Sequence, residues 1–181
     1  GGDGLVSVSG SIDATGLKAG ETGGVVHVLG DQVGLYDYAL IDVSGDAGGG
    51  LVLVGGDYQG IGSIPTSVEN YIGPNVSVFA DAVTGGHGGR TIFWADKRTE
   101  FFGTVRTRGG RLFGDGGFVE VSGKEELYFD GSVDTTAANG KSGTLLLDPD
   151  NITVQSGSGT ASASGASSFT TYQNILEAVS S

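Results

Sequence analysis

A glycine corner followed by a short alternating apolar stretch recurs along this chain, and it limits the possible folds more than any other feature. Counted from the first glycine, the corners begin at residues 23, 49, 88, 116 and 143, which gives steps of 26, 39, 28 and 27 residues. An earlier copy opens the chain at Gly4. A nearly constant period of this length is typical of a solenoid, in which each repeat buries its apolar face only against its neighbours.

Within each period, three short runs alternate apolar and polar residues, and Gly, Asp or Ser-Gly separates them. This pattern predicts three short strands per period, each with one face directed inward. We expect Val26 and Val28 to point inward in one coil, and Ile92 and Trp94 to do so two coils later. A hairpin-based sandwich would need regularly spaced two-residue Asn-Gly or Asp-Gly turns, whereas the glycine corners recur once per period. The prediction is an all-β parallel β-helix of about six coils.

The composition supports this fold and excludes several function classes. Glycine accounts for 36 of 181 residues, which disfavours helices but suits corners where stacked backbones approach closely. The chain has no cysteine and two histidines, so thiolate chemistry is absent and imidazole chemistry is sparse. A net charge of −12 argues against nucleic acid as a partner. No apolar run reaches the length of a transmembrane segment, and we predict no cofactor.

Two regions depart from the period. The long step contains an insertion at 59–74 that holds two of the three prolines, and we predict that it leaves the β-helix (1–155) as a loop. Its Ile64 and Tyr71 are candidates for an apolar contact surface. Beyond the β-helix we predict a Ser/Gly/Ala/Thr-rich linker at 156–171 and a short helical or next-coil segment at 172–181, after which we expect the natural chain to continue.

The candidate functional residues lie in the fourth and fifth coils, where residues 90–124 hold seven basic and four acidic side chains. Three aromatic residues occupy strand positions that alternate with the inward ones, namely Phe93, Phe102 and Tyr128. We therefore expect them to form an exposed aromatic ladder beside Arg106 and Arg108. Such a surface would suit a glycan or protein receptor. The acidic residues fall singly, no phosphate-loop motif is present, and the calcium nonapeptide occurs only once and loosely. We therefore predict no catalytic residue, no metal site and no enzyme.

The sequence from Gly89, RTIFWADKRTEFFGTVRTRGG, and the later runs FVEVSGK and LLLDPDNITV resemble the repeat region of filamentous-haemagglutinin-type exoproteins. The resemblance covers about residues 1–155. It implies a right-handed parallel β-helix that forms the shaft of a large adhesin, secreted or held at the bacterial cell surface. It also implies two-partner secretion through an outer-membrane β-barrel transporter. The family's secretion domain carries Asn-Pro-Asn-type motifs that this chain lacks, so the resemblance is to the shaft.

Two alternatives remain open. One is a carbohydrate-active β-helix enzyme, such as a polysaccharide lyase or hydrolase, which would need two carboxylates within reach of each other on one outer sheet. The other is a self-assembling extracellular filament, because the open ends of a β-helix expose unpaired strand edges that allow end-to-end association.

Overall fold

The computed structural model describes residues 4–149 and has the predicted parallel β-helix architecture. Within residues 4–149 every strand pairing is parallel, and the one helical element is a short 3-10 turn at Tyr58–Gly60. The coils number about five, because the first and last of the six predicted coils are partial. The strands are β1 (Leu5–Val8), β2 (Ser11–Asp13), β3 (Val25–Val28), β4 (Gln32–Leu35), β5 (Leu40–Asp42), β6 (Leu51–Val54), β7 (Ser67–Ile72), β8 (Ser77–Phe79), β9 (Arg90–Phe101), β10 (Thr104–Arg106), β11 (Phe118–Gly123), β12 (Glu126–Phe129), β13 (Ser132–Asp134) and β14 (Thr144–Leu147).

The strands stack into three faces that run along the solenoid. Face A contains β3, β6, the first half of β9, β11 and β14. Face B contains β1, β4, β7, the second half of β9 and β12. Face C contains β2, β5, β8, β10 and β13. Because β9 continues through the corner between faces A and B, it joins these two faces into one bent sheet.

The core consists of the inward side chains of all three faces, as the alternation predicts. Val26, Val28 and the corresponding residues of later coils are buried in one continuous cluster. Phe101 lies at its centre, with its ring centroid 5.1 Å from that of Phe93 and 5.3 Å from that of Phe129. Each coil therefore depends on the next one for the burial of its apolar side chains.

The double glycines stack directly above one another at the corner between faces C and A. A Cβ atom added to Gly50 would fall on the carbonyl oxygen of Gly24, and Gly89 and Gly117 have the same relation to the glycine one coil earlier. The Leu51 amide donates a hydrogen bond of 3.0 Å to that Gly24 carbonyl. A side chain at these positions would push neighbouring coils apart, so the glycine period has a steric cause.

The predicted loop at 59–74 is only partly a loop. Its residues 67–72 form strand β7, which pairs with β4 and β9 in face B. The segment that leaves the coil is 55–66, which we call the strap, and it lies against face A. The prediction missed this boundary because the segment 67–72, SVENYI, lacks regular alternation. The other predicted segments, 156–171 and 172–181, lie outside the described residues.

The predicted orientation of side chains in the first half of β9 is wrong. Phe93 is buried at 0 % exposure in the core, whereas Ile92 and Trp94 point outward and are buried beneath the strap. Phe93 pairs in register with Val54 and Val121, which are both inward residues. The alternation rule fails here because both sides of the strand are covered, so apolar residues occupy both parities. Phe93 is therefore no part of an exposed contact surface.

Candidate contact surfaces

Face B brings together three of the predicted contact residues. The rings of Tyr36 and Tyr71 stack with centroids 5.4 Å apart, and Phe102 continues the row at 6.0 Å from Tyr71. Tyr128 lies on the same face, because Tyr71 and Tyr128 both pair in register with Glu100. These aromatic side chains are half-buried or exposed at the outer surface. Of the predicted ladder, Phe102 and Tyr128 lie on this face, and the observed row of ring contacts begins at Tyr36, two coils earlier than predicted.

A row of polar side chains runs beside this aromatic ladder. Gln32, Glu69, Arg98 and Glu126 occupy equivalent positions on successive coils. The Arg98 guanidinium lies 3.8 Å from the Glu69 carboxylate and 3.3 Å from that of Glu100. A groove of about 280 Å³ lies between the first parts of the two rows, and its lining includes Tyr36 and Tyr71 from the aromatic row and Gln32, Glu69 and Arg98 from the polar row. Face B thus presents planar hydrogen-bonding groups next to aromatic rings.

Arg106 and Arg108 lie on face C, so the arginines and the aromatic ladder do not share one face. Each places an Nη2 atom 2.9 Å from Oδ2 of Asp81, whose residue is only 4 % exposed. The hydrogen bond to Asp81 raises the pKa of Arg108 above its ordinary value. The Arg106 guanidinium also lies 3.8 Å from the centroid of the Phe79 ring. The aromatic residue beside the arginines is therefore Phe79, one coil earlier.

A signal for this arrangement was present in the sequence. Asp81 and Arg108 are 27 residues apart, which is close to one period, so they fall at neighbouring positions on adjacent coils. Phe79 and Arg106 pair in register for the same reason. Aligning the copies residue by residue would have identified both contacts.

The strap covers the outer surface of face A. Ile64 packs against a small apolar cluster of Leu53, Ile92 and Trp94, so it faces the solenoid and is only half-buried. The Trp94 indole donates a hydrogen bond of 3.1 Å to Asp96, and the Thr66 hydroxyl donates one of 2.6 Å to the same carboxylate. The strap is thereby fixed at its apolar centre and at its end.

Beneath the strap lies the carboxyl group of Glu120, which the sequence pattern did not single out as a functional residue. Glu120 points outward from β11 yet is 0 % exposed. The backbone N–H of Gln59 donates to both of its oxygens, at 3.2 and 3.3 Å, and the Ser122 hydroxyl donates at 2.9 Å. Burial raises the pKa of Glu120, and the nearby Asp148 acts in the same direction, while these hydrogen bonds and Arg90 oppose it.

Gln59 links two carboxyl groups of face A, because its side-chain amide donates a hydrogen bond of 3.1 Å to Asp148. Two acidic residues therefore approach one point on an outer sheet, which is the arrangement that the enzyme alternative requires. Glu120 is fully covered, however, and no substrate could reach it while the strap is in place. Within residues 4–149, no group of three or more His, Cys, Asp or Glu side chains could hold a metal ion. In that same part of the chain, no helix is long and apolar enough to cross a membrane.

Comparison with known proteins gives one informative likeness. No protein-family model matches the sequence, and no curated protein matches it. Among solved structures, the crystal structure of the HMW1 secretion domain from Haemophilus influenzae is similar, with a TM-score of 0.62 and 27 % identity. The match covers 80 % of this chain and 38 % of that one, so this chain spans well under half of the matched structure. The relative is a secretion domain, whereas the sequence resemblance pointed to a shaft.

Proposed function

We propose that this chain is a β-helical segment of a secreted or surface-attached bacterial adhesin exported by two-partner secretion. The observation that supports this most is the likeness to the HMW1 secretion domain over 80 % of the chain. It agrees with the resemblance of about residues 1–155 to filamentous-haemagglutinin-type exoproteins. The partner in export would be the outer-membrane β-barrel transporter that serves the parent protein.

Within that protein, the segment would act as a structural shaft whose outer faces contact a receptor. The stacked core supports a stiff rod, because each coil packs against the next over all three faces. Tyr71, Phe102 and Tyr128 on face B, and Arg106 and Arg108 on face C, are the side chains that we propose for receptor contact. Face A is less suited to that role in its central coils, where the strap occupies the surface.

We propose that the segment is not catalytic. Glu120 and Asp148 both accept hydrogen bonds from Gln59, and Glu120 is sealed beneath the strap. Incubation with acidic and neutral polysaccharides, followed by a reducing-end assay, should yield no new ends. Release of ends that is lost in Glu120→Gln would support the carbohydrate-active alternative instead.

Export can be tested by giving the chain a periplasmic leader and expressing it with and without the two-partner transporter of its source organism. A second version would carry the chain behind a complete secretion domain recognised by that transporter. A shaft segment should reach the medium only in the second version, whereas a secretion module should do so alone; in both cases export should require the transporter. Retention of both versions in the periplasm would contradict the proposal.

A further inference from the structure

Face C carries a groove that none of the preceding roles explains. It has a volume of about 560 Å³ and crosses the strands, so it runs along the solenoid over several coils. Most side chains along it are small, and three arginines converge on it. The lining residues used below are Arg106, Arg108, Arg111, Asp81, Ser44 and Thr136.

Two of the arginines are held in fixed positions. The buried Asp81 carboxylate accepts hydrogen bonds from Nη2 and Nε of Arg108 at 2.9 and 3.3 Å, and it forms an ion pair with Nη2 of Arg106 at 2.9 Å. Its other oxygen accepts the backbone N–H of Arg108 at 2.8 Å. The face of the Phe79 ring supports the Arg106 guanidinium from one side. Neither guanidinium therefore needs much reorganisation to receive a ligand.

The donors in this groove outnumber the acceptors. A guanidinium has five N–H groups, and Asp81 engages only one from Arg106 and two from the side chain of Arg108. Nε of Arg106 is buried and has no hydrogen-bond partner among the described residues. Asp42 and Asp134 lie on the same face and offset part of the remaining positive charge, while the exposed Arg111 adds a third guanidinium on the adjoining turn. The N–H groups that Asp81 does not engage are therefore available to an oxyanion.

We propose that the face C groove binds the carboxylate groups of a linear acidic polysaccharide, with Arg106, Arg108 and Arg111 as the binding residues. Guanidinium groups match planar carboxylates in shape and donate two parallel hydrogen bonds to them. The hydroxyls of Ser44 and Thr136 and the carboxylate of Asp42 also line the groove and are suited to sugar hydroxyls. This inference rests on the proposed display of outer faces to a receptor and specifies the chemistry of one such receptor.

Other polyanions fit these observations less well. The net charge of −12 repels every polyanion, and it repels nucleic acid most strongly, because a duplex carries about one negative charge per 1.7 Å of its axis. The anchor residues of a protein partner fill deep, enclosed apolar pockets. In this groove the apolar side chains of Leu17 and Val83 are exposed, and much of the remaining lining is small, namely Ala82, Gly109, Ala137 and Ala138. A groove that follows the solenoid over several coils suits an extended polymer of sugars.

The test is calorimetric titration of the full chain with a linear oligogalacturonate and with its fully methyl-esterified form. The ester keeps the sugar backbone but removes the charge, so we expect binding of the acid and at least about tenfold weaker binding of the ester, as loss of charge-assisted hydrogen bonds implies. Added salt should weaken binding of the acidic oligosaccharide and leave binding of the ester unaffected. Equal binding of both forms, or of oligoglutamate as tightly as of oligogalacturonate, would overturn the proposal.

Matched variants locate the site. Asp81→Asn/Arg106→Gln/Arg108→Gln removes the whole ion cluster without leaving a buried charge unpaired, and we expect about tenfold weaker binding. Lys124→Gln lowers the net charge by the same one unit at an exposed position outside the groove, and it should bind like the parent chain. Arg111→Gln changes only an exposed side chain and should weaken binding by a few fold. Unchanged binding in both the triple variant and Arg111→Gln would reject the site.

The binding test of the groove and the export test of the proposed function can fail independently of each other. Transporter-dependent export of the triple variant can be measured in the secretion assay described above. Normal export together with the absence of oligogalacturonate binding in the parent chain would remove the groove proposal and leave the adhesin proposal standing.

Discussion

Faces A and C each bury a carboxyl group on the outside of the solenoid, where an acidic side chain would ordinarily meet water. On face C, Asp81 is compensated by two arginines at 2.9 Å. On face A, Glu120 has no cation within hydrogen-bonding distance among the described residues, and it is covered by the strap with a backbone amide and a hydroxyl as donors. A repeat scaffold can therefore accommodate a buried acid either by paired charge, as at Asp81, or by a covering segment that supplies neutral donors, as at Glu120.

The largest expected effect on the free energy of unfolding comes from removing the charges that compensate Asp81. Arg106→Gln/Arg108→Gln leaves the Asp81 carboxylate buried and unpaired, and we expect a loss of about 3 kcal/mol in the free energy of unfolding. Adding Asp81→Asn to this variant should restore most of the loss, because the uncompensated charge is gone. Urea unfolding followed by circular dichroism measures both changes.

The control for this comparison is Lys97→Gln/Lys124→Gln, which removes two positive charges from exposed positions. Its unfolding free energy should stay within about 0.5 kcal/mol of the parent value. If the arginine pair and the lysine pair had equal effects, Asp81 would not depend on its specific partners, and the contrast between the faces would fail.

A substitution in the strap should expose Glu120 by detaching the strap from face A. Gly60 has a φ of 64° and lies against the indole of Trp94, so the side chain of Gly60→Val would both strain the backbone and overlap the ring. We expect the strap to detach at a cost of about 1–2 kcal/mol, while the β-helix circular dichroism persists. Trp94 is the single tryptophan of the chain, so its emission should shift to the red and become accessible to acrylamide.

Gly62→Ala distinguishes the effect of backbone strain from the effect of steric overlap with the Trp94 ring. Gly62 also has a positive φ, 119°, but nothing lies within 4 Å of an added Cβ. Its variant should keep the Trp94 emission of the parent chain. A red shift of the same size in both variants would mean that backbone strain alone detaches the strap and that the Trp94 contact contributes little.

The sequence was sufficient for the scaffold because the scaffold is built from local patterns. Glycine corners recur where coils stack, and alternation identifies the inward residues of Val26–Val28 and its later copies. The same alternation gave the wrong orientation for Phe93, because a strand that is covered on both sides has no polar face to identify its outer side. Local pattern thus predicts the repeat and fails where a segment from outside the repeat covers it.

The two candidate sites differ in how far they could be predicted. The Asp81–Arg108 pair is one period apart in sequence, so the repeat itself contains the signal. The contacts of Gln59 with Glu120 and Asp148 join residues 61 and 89 positions apart, outside the period, through a residue with a φ of 53°. No spacing rule leads to those contacts, because they depend on where the strap folds back.

The smallest expected effect is the pH dependence of the covered carboxyl. Because the pKa of Glu120 is raised in the folded protein, the folded state holds this proton more tightly than the unfolded chain does. Its contribution to stability is therefore fully present below the unfolded value of about 4.3 and is lost as pH rises through the higher folded value.

Glu120→Gln stays neutral and keeps a carbonyl to accept the Gln59 N–H. The difference in unfolding free energy, parent minus variant, should fall from pH 4 to pH 8. The lowered pKa values of Asp13 and Asp46 act in the opposite sense in both proteins and cancel in this difference. A difference that does not change with pH would mean that the strap leaves Glu120 as easily ionised as it is in the unfolded chain.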